Sequence, residues 1–494
     1  MKLEQLPISP IMVEEKQDYS MIFPLPPNKT LHFRIAERRG ILMGIDVIVS
    51  AVCVMLSLLL WDIRAPQPIT STFLLEHSVL LGVLPLLWIV LATVNDYYNL
   101  QVTASLSRSI SKIIWITLQL FLVYGVIFFL SPRDLLPRFL IVSYAISSLV
   151  ALTSVRLLRL QLIRSTGSKR RLLVVGTGRP SETILDAVAE EAQGDYEVVG
   201  SVYSMDDPVT LPARTEMLGF GAEIPDIVRR YKVTEVVIAY INEMPEDIFK
   251  GVIHCYETGI PVVTMPDLFE QITGRVPIEH MAQHLWAQVL PSNGHTISYN
   301  LYLFTKRFYD IVFSLIGLTI FAVLLPFLII AIKLDSKGPI LFKQNRVGRG
   351  GRIFSLYKLR SMQRDAEKNS GPIWAEKNDP RVTRVGNILR KTRLDELPQL
   401  WNVLKGDMSI VGPRPERPEF YAMLSRQIPF YRTRLVTKPG LTGWAQIRYR
   451  YGSSVDDALK KLQYDLYYIR HKSLMLDLII MARTVRIMMT FQGR

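Results

Sequence analysis

The segment Ile311-Val-Phe-Ser-Leu-Ile-Gly-Leu-Thr-Ile-Phe-Ala-Val-Leu-Leu-Pro-Phe-Leu-Ile-Ile-Ala-Ile-Lys-Leu334 is apolar over a length that suffices to cross a bilayer, and its reading decides the architecture. Pro326 lies inside it, where proline removes a helical hydrogen bond and bends the chain. Both flanks are basic: Lys306 and Arg307 precede the run, and Lys333, Lys337 and Lys343 lie at or beyond its end. Positive charge near membrane segments collects on the cytoplasmic side, so a segment with two such flanks enters and returns on that face. A kinked transmembrane helix is the alternative that periodicity leaves open.

Working upstream, four further apolar runs occupy residues 41–61, 79–94, 113–130 and 139–155, broken by Pro85, by the turn at 131–134 and by polar connectors. Arg34, Arg38 and Arg39 come before the first, and a basic cluster from Arg156 to Arg171 follows the fourth. Both ends are therefore expected in the cytoplasm, with four spans between them and a polar cytoplasmic segment over 1–39. That segment lacks the basic start, short apolar stretch and small-residue cleavage site of a secretory signal, so the first run is expected to stay as an anchor. The chain has 494 residues and net charge +14, unevenly placed: residues 301–494 carry +19, the remainder −5. The basic part faces an anion; nucleic acid, anionic lipid headgroups and a nucleotide-sugar with a lipid phosphate all qualify. Two distant cysteines imply no disulfide framework, and no His/Cys cluster has zinc spacing.

Between the bundle and the apolar segment lies an α/β pattern over 169–291. Strand-like runs at 171–176, 196–203, 235–240 and 259–265 alternate with helical stretches at 181–191, 224–231 and 245–258, which predicts a mostly parallel sheet with helices on its faces. Gly176-Thr-Gly178 resembles a dinucleotide turn, but Ser181 stands where a third glycine belongs and Pro180 intrudes before it. The expectation is a Rossmann-like domain without cofactor. Residues 292–300 read as a linker.

The chemistry concentrates at Leu389-Arg-Lys-Thr-Arg-Leu-Asp-Glu-Leu-Pro398 and at Gly412-Pro-Arg-Pro415. Asp395 and Glu396 sit among Arg390, Lys391 and Arg393, with Arg414 held between two prolines. Adjacent carboxylates push one pKa up while cations hold both ionised. An ionised Asp in such surroundings can attack phosphorus while cations absorb charge on the equatorial oxygens. Upstream, Lys343, Arg346, Arg352, Lys358 and Arg360 fall on strand-turn-strand pieces around 348–351, and downstream 455–468 and 474–489 read as helices. The last is amphipathic, and it is expected in the headgroup plane, with core packing as the alternative.

At these residues, together with Phe342-Lys-Gln-Asn-Arg-Val-Gly348, Tyr357-Lys-Leu-Arg-Ser-Met362, Asp379-Pro-Arg-Val-Thr-Arg-Val-Gly386 and Lys438-Pro-Gly-Leu-Thr-Gly-Trp-Ala-Gln446, the chain resembles the bacterial polyprenyl-phosphate phosphosugar transferases of the monotopic phosphoglycosyl transferase superfamily. The resemblance covers residues 301–494 closely. It implies a membrane protein of α + α/β class: a transmembrane four-helix bundle over 40–160, a Rossmann-like (CoA-binding-like) domain, and a small α/β catalytic domain with a re-entrant hairpin over 311–334 broken at Pro326. It implies Asp395 as nucleophile, Glu396 as magnesium ligand, and Lys358, Arg360, Arg390 and Arg414 as phosphate contacts. The implied reaction moves a hexose-1-phosphate, glucose or galactose, from a UDP-sugar to polyprenyl (undecaprenyl) phosphate and releases UMP. This is the first membrane step of exopolysaccharide, capsule or O-antigen synthesis, at the cytoplasmic face of the bacterial inner membrane. Partners are membrane lipid and a second copy of the chain as a homodimer, with no nucleic acid. One departure from the family pattern is Leu325 before Pro326, where some relatives carry serine. Two other readings stay in view: an NAD-dependent membrane epimerase or dehydratase, which lacks its glycine fingerprint, and a non-enzymatic assembly scaffold, which sits poorly with both acids being present.

Overall fold

The computed structural model describes residues 35–62, 78–95, 97–98, 106–130, 138–166, 169–205, 207, 215–241, 243–280, 297–363, 379–449 and 454–489. The turn at 131–134, residues 292–296 of the expected linker and the segment before residue 35 lie outside the described residues.

Four apolar helices come first: α1 (Ile35–Asp62), α2 (Ser78–Val94), α3 (Leu106–Leu130) and α4 (Arg138–Thr166). Three of them contain stretches long and apolar enough to cross a membrane, while α2 has 17 residues with Pro85 inside. Their shared core holds Trp88, Leu120, Leu140 and Tyr144. Arg156 of α4 is buried there, donating from Nη2 to Asp46 of α1 at 2.9 Å and from Nε to the Tyr97 hydroxyl at 2.7 Å. A charge inside an apolar bundle persists when it is paired, and this pair fastens α1, α4 and the turn after α2 together.

The middle domain is a five-stranded parallel sheet in the order β3-β2-β1-β4-β5. Its elements are β1 (Arg170–Val175), α5 (Arg179–Glu191), β2 (Tyr196–Tyr203), β3 (Met217–Phe220), α6 (Ile224–Arg230), β4 (Glu235–Ile238), α7 (Glu246–Glu257), β5 (Val262–Thr264) and α8 (Met265–Thr273). Leu172 and Val174 point to the face covered by α5 and α8, Leu173 and Val175 to the face covered by α6 and α7. Burial on both faces is why the first strand reads as a continuous hydrophobic run. Sequence patterning passed over β3, whose four residues include a glycine, and α8, which starts at the residue where the β5 reading ended.

The C-terminal domain opens with α9 (Ile297–Asp335), a single helix that continues through Pro326, where the resemblance implied a hairpin break. An antiparallel hairpin follows, β6 (Leu341–Val347) with β7 (Ile353–Leu359), as the strand-turn-strand pattern predicts. Then come α10 (Arg384–Thr392), α11 (Gln399–Lys405), β8 (Ser409–Val411), α12 (Pro418–Gln427), β9 (Gly440–Thr442), α13 (Trp444–Arg448), α14 (Val455–Arg470) and α15 (Leu474–Met489), with β8 and β9 parallel. Val276 and Ile278, just past α8, pack in this domain's core, and Trp444 Nε1 donates to the Gly274 carbonyl at 3.0 Å, so the two domains share an apolar seam. Helix α15 faces both ways. Its Asp477 is buried and accepts from Lys306 at 2.9 Å and from the Tyr302, Tyr309 and Tyr468 hydroxyls, while Arg483 and Arg486 donate to the Thr93 and Val94 carbonyls at the end of α2.

Candidate active site

The site begins with a helix end. Thr383 caps α10 by accepting from the Gly386 amide at 3.0 Å, and the helix lies so close to the chain at Ser361 that a Cβ on Gly386 would stand 2.0 Å from the Ser361 carbonyl oxygen. Arg393 then takes left-handed backbone with φ 58° and stops the helix. The chain turns into a single 3₁₀ turn, Leu394–Glu396, before α11 starts behind Pro398. That turn carries the two acids, and both are buried, Asp395 at 6 % and Glu396 at 7 % exposure.

Buried carboxylates need partners. Glu396 has three: Arg414 Nη2 at 2.7 Å and Lys358 Nζ at 3.5 Å on Oε1, and Arg393 Nη1 at 3.5 Å on Oε2. Lys358 is delivered by β7, which Asn402 of α11 holds by accepting from the Tyr357 amide and donating to the Ser355 carbonyl at 2.8 Å. Arg390 reaches from α10 and donates from Nε to Ser361 Oγ at 3.0 Å. The Asp395 carboxylate accepts no hydrogen bond from the described residues, and the Arg414 side chain keeps 40 % of its surface open to solvent.

The electrostatics separate the two acids. Burial and then the Glu396 charge push the Asp395 carboxyl up to about 6, against the pull of Lys358, Arg390 and Arg414. Burial opposes ionisation of Glu396 as well, but Arg414, Lys358 and Arg393 outweigh it and hold this carboxyl below the usual range. Burial lowers the Lys358 ammonium. One carboxylate is thus neutralised by fixed cations, and the other remains uncommitted and ionised near neutral pH: the pattern of a nucleophile beside an electrostatic anchor.

Of the residues expected from the sequence, Asp395, Glu396, Lys358, Arg390 and Arg414 come together. Arg360 does not join them: its guanidinium donates to the carbonyls of Pro339 at 2.6 Å and Ser336 at 2.7 Å, so it clasps the end of α9. Arg393, not singled out beforehand, belongs to the ring; its place in the basic run before Asp395 was the available signal. No group of three His, Cys, Asp or Glu side chains able to hold a metal occurs among the described residues. Magnesium binds through one or two carboxylates with the remaining ligands from substrate phosphate and water, and the Asp395–Glu396 pair fits that mode and no protein-only cage.

The family model described as bacterial sugar transferase matches residues 301–491, and one described as a CoA-binding domain matches 93–266. The chain is 30 % identical over 421 residues to the UDP-glucose:undecaprenyl-phosphate glucose-1-phosphate transferase of Escherichia coli, covering 84 % of this chain and 89 % of that protein. It is 33 % identical to the protein of the same name from Xanthomonas campestris, covering 69 % and 72 %. It is 44 % identical to a UDP-N-acetylgalactosamine-undecaprenyl-phosphate N-acetylgalactosaminephosphotransferase of Aeromonas hydrophila, where the match takes in 48 % of this chain and about half, 55 %, of the relative.

Proposed function

We propose, on the premise that the chain belongs to the bacterial sugar transferase family and is an undecaprenyl-phosphate sugar-1-phosphate transferase of glycan synthesis, that it works by two displacements at Asp395. The carboxylate oxygen of Asp395 attacks the β-phosphorus of a UDP-sugar. The bond from that phosphorus to the α–β bridging oxygen breaks, and UMP departs with the electron pair. A phosphate oxygen of the polyprenyl phosphate then attacks the same phosphorus, and Asp395 leaves as carboxylate. The observation that carries this reading is the asymmetric pair: a buried, ionisable Asp395 that accepts no hydrogen bond from the described residues beside a Glu396 clamped by Arg414, Lys358 and Arg393.

Lys358, Arg390 and Arg414 are the groups placed to meet the equatorial oxygens, Arg414 with a planar fork suited to phosphate. Glu396, with Asp395 beside it, is where magnesium would be held; when bound it supplies charge neutralisation on the diphosphate. The donor is read as a UDP-hexose, glucose or galactose, since the Escherichia coli and Xanthomonas relatives, matched over 89 % and 72 % of their lengths, are named for glucose; the Aeromonas relative favours N-acetylgalactosamine.

We read α9 as a re-entrant element at the cytoplasmic face of the inner membrane. Ahead of Pro326, Arg307 donates to the Val403 and Leu404 carbonyls at 2.8 and 2.7 Å, and Asp310 accepts from the Ile410 amide at 2.9 Å. Beyond it, Arg360 holds the Ser336 and Pro339 carbonyls. Both flanks attach to one catalytic body, which supports keeping them on the same side of the membrane, while the helix itself runs on through Pro326. A homodimer is part of the same reading and follows from the family resemblance alone.

The test is to incubate the purified chain with a panel of UDP-sugars without lipid acceptor. One equivalent of UMP and a phosphosugar mass on the Asp395 peptide are expected, discharged when undecaprenyl phosphate is added. UMP release that requires the acceptor, with no labelled peptide, would mean direct transfer and sink the covalent step.

A further inference from the structure

The turn at 413–416, which presents Arg414, does not hold itself. Two prolines remove its amides and fix φ on either side of Arg414. Instead, four consecutive carbonyls are taken by donors from other parts of the chain. The Gly440 amide donates to Pro413 at 2.8 Å, Arg434 Nη2 to Arg414 at 3.0 Å, Arg346 Nη1 to Pro415 at 3.0 Å, and the Val347 amide to Glu416 at 2.9 Å. With both prolines' φ fixed, the torsions left to Arg414 are its own φ and ψ, and ψ sets where its carbonyl points. The group on that carbonyl is Arg434.

Arg434 is buried, and each side of its guanidinium is used. Nε donates to Asp465 Oδ2 at 2.9 Å, Nη1 to the Tyr431 hydroxyl at 2.7 Å, and Nη2 to Arg414. Glu416 lies 3.8 Å away, and Asp465 is itself 2 % exposed. A buried ion pair is weak evidence for stability, because apolar residues of similar volume are often as stable. Where its third donor points is the informative fact. A connected chain runs from Asp465 through Arg434 and the Arg414 backbone to the Arg414 guanidinium on Glu396 at 2.7 Å.

We propose that Arg434, oriented by Asp465, is a positioning residue for the phosphoryl transfer: it fixes the backbone of Arg414 so that this guanidinium stands ready between Glu396 and the donor phosphate. The proposal rests on the reading of Arg414 as a phosphate contact. Lysine in place of Arg434 keeps the charge but loses the three-way planar fork, and a displacement of about 1 Å at a phosphate clamp costs on the order of a hundredfold in rate.

The experiment is a double-mutant cycle on the full chain in detergent, with the UDP-sugar that the panel selects and undecaprenyl phosphate. Arg434→Lys is expected to lower kcat about tenfold to a hundredfold with little change in either KM, and Asp465→Asn to lower it less. In an Arg414→Gln background, Arg434→Lys should cost almost nothing further, because its effect passes through Arg414. Losses that multiply across the cycle would show that Arg434 acts only through general folding and would overturn the proposal while leaving Arg414 in place. A wild-type rate for Arg414→Gln would overturn the phosphate reading and this proposal with it. Should Arg434→Lys fail to fold, Asp465→Asn in the two backgrounds gives the same discrimination.

Discussion

Two turns in this molecule present polar groups at the end of a helix or strand, and they differ in what those groups have left to bind. In the middle domain the described polar groups at the strand ends bond one another: Ser181 Oγ donates to the Gly176 carbonyl at 2.8 Å, Asp207 accepts from the Ser204 amide at 3.0 Å and from the Tyr240 hydroxyl, and Ser204 Oγ donates to Asp247 at 2.9 Å. In the catalytic domain the turn at 394–396 leaves Asp395 without a hydrogen bond from the described residues and gathers four cations around it. A site capable of chemistry holds polar groups whose needs the fold has not met, whereas polar groups already bonded to one another have less left to offer a ligand.

The sharpest way to break this contrast is Asp395→Asn. The amide is nearly isosteric and a poor nucleophile, so UMP release should fall by roughly 10³-fold or more, with the thermal midpoint in detergent unchanged or raised, since a buried charge has gone. Wild-type-like turnover would remove Asp395 from the chemistry. Glu396→Gln comes next: activity should drop by about 10²-fold, the magnesium titration should shift to higher concentration, and the protein should be less stable because Arg414, Lys358 and Arg393 lose their counter-ion.

The pH profile sharpens the same point. With the Asp395 carboxyl raised to about 6 by burial and Glu396, its ionised fraction, and with it kcat/KM, falls as pH drops through that value and stays level above it. In Glu396→Gln the acidic limb should move to lower pH, because a neighbouring negative charge is gone while the cations remain. A limb that stays in place would assign it to another group.

The smallest effect is expected in the middle domain. Gly176 has φ 130°, and a Cβ there would lie 3.1 Å from the Ala239 carbonyl carbon, so Gly176→Ala should lower stability by about 1–3 kcal/mol. The turnover of the folded fraction should not change, and NAD should not shift the melting temperature of the wild type. A melting shift with NAD would mean that the crevice opens to a ligand and that the two turns are more alike than their hydrogen bonds indicate.

Much of this was legible in the residues. The bounds of β2 and α15 follow from pattern alone, and the acidic pair was visible as a charge anomaly. What could not be read was direction. Lys358 and Arg360 stand two apart in one motif and would share a face in a continuing strand, but β7 ends at Leu359, and Arg360 turns to the carbonyls after α9. Arg346 was read with the neighbouring cations and Arg434 was not singled out, because their partners lie 69 and 20 residues away along the chain and only the fold brings them to the 413–416 turn. Proline misled as well: α2 continues through Pro85 and α9 through Pro326, since a packed helix tolerates one missing bond.

The bond between Lys306 and Asp477 also carries a timetable. The two residues are 171 apart in sequence, and a ribosome adds about 5–20 residues each second, so Lys306 emerges on the order of ten to thirty seconds before its counter-charge exists. During that interval the apolar helix behind it has already been made, and an ammonium without a partner is held out of hydrocarbon by its hydration. Helix α15, emerging last of the described helices, neutralises that charge when it docks onto the C-terminal core and the end of α2 together.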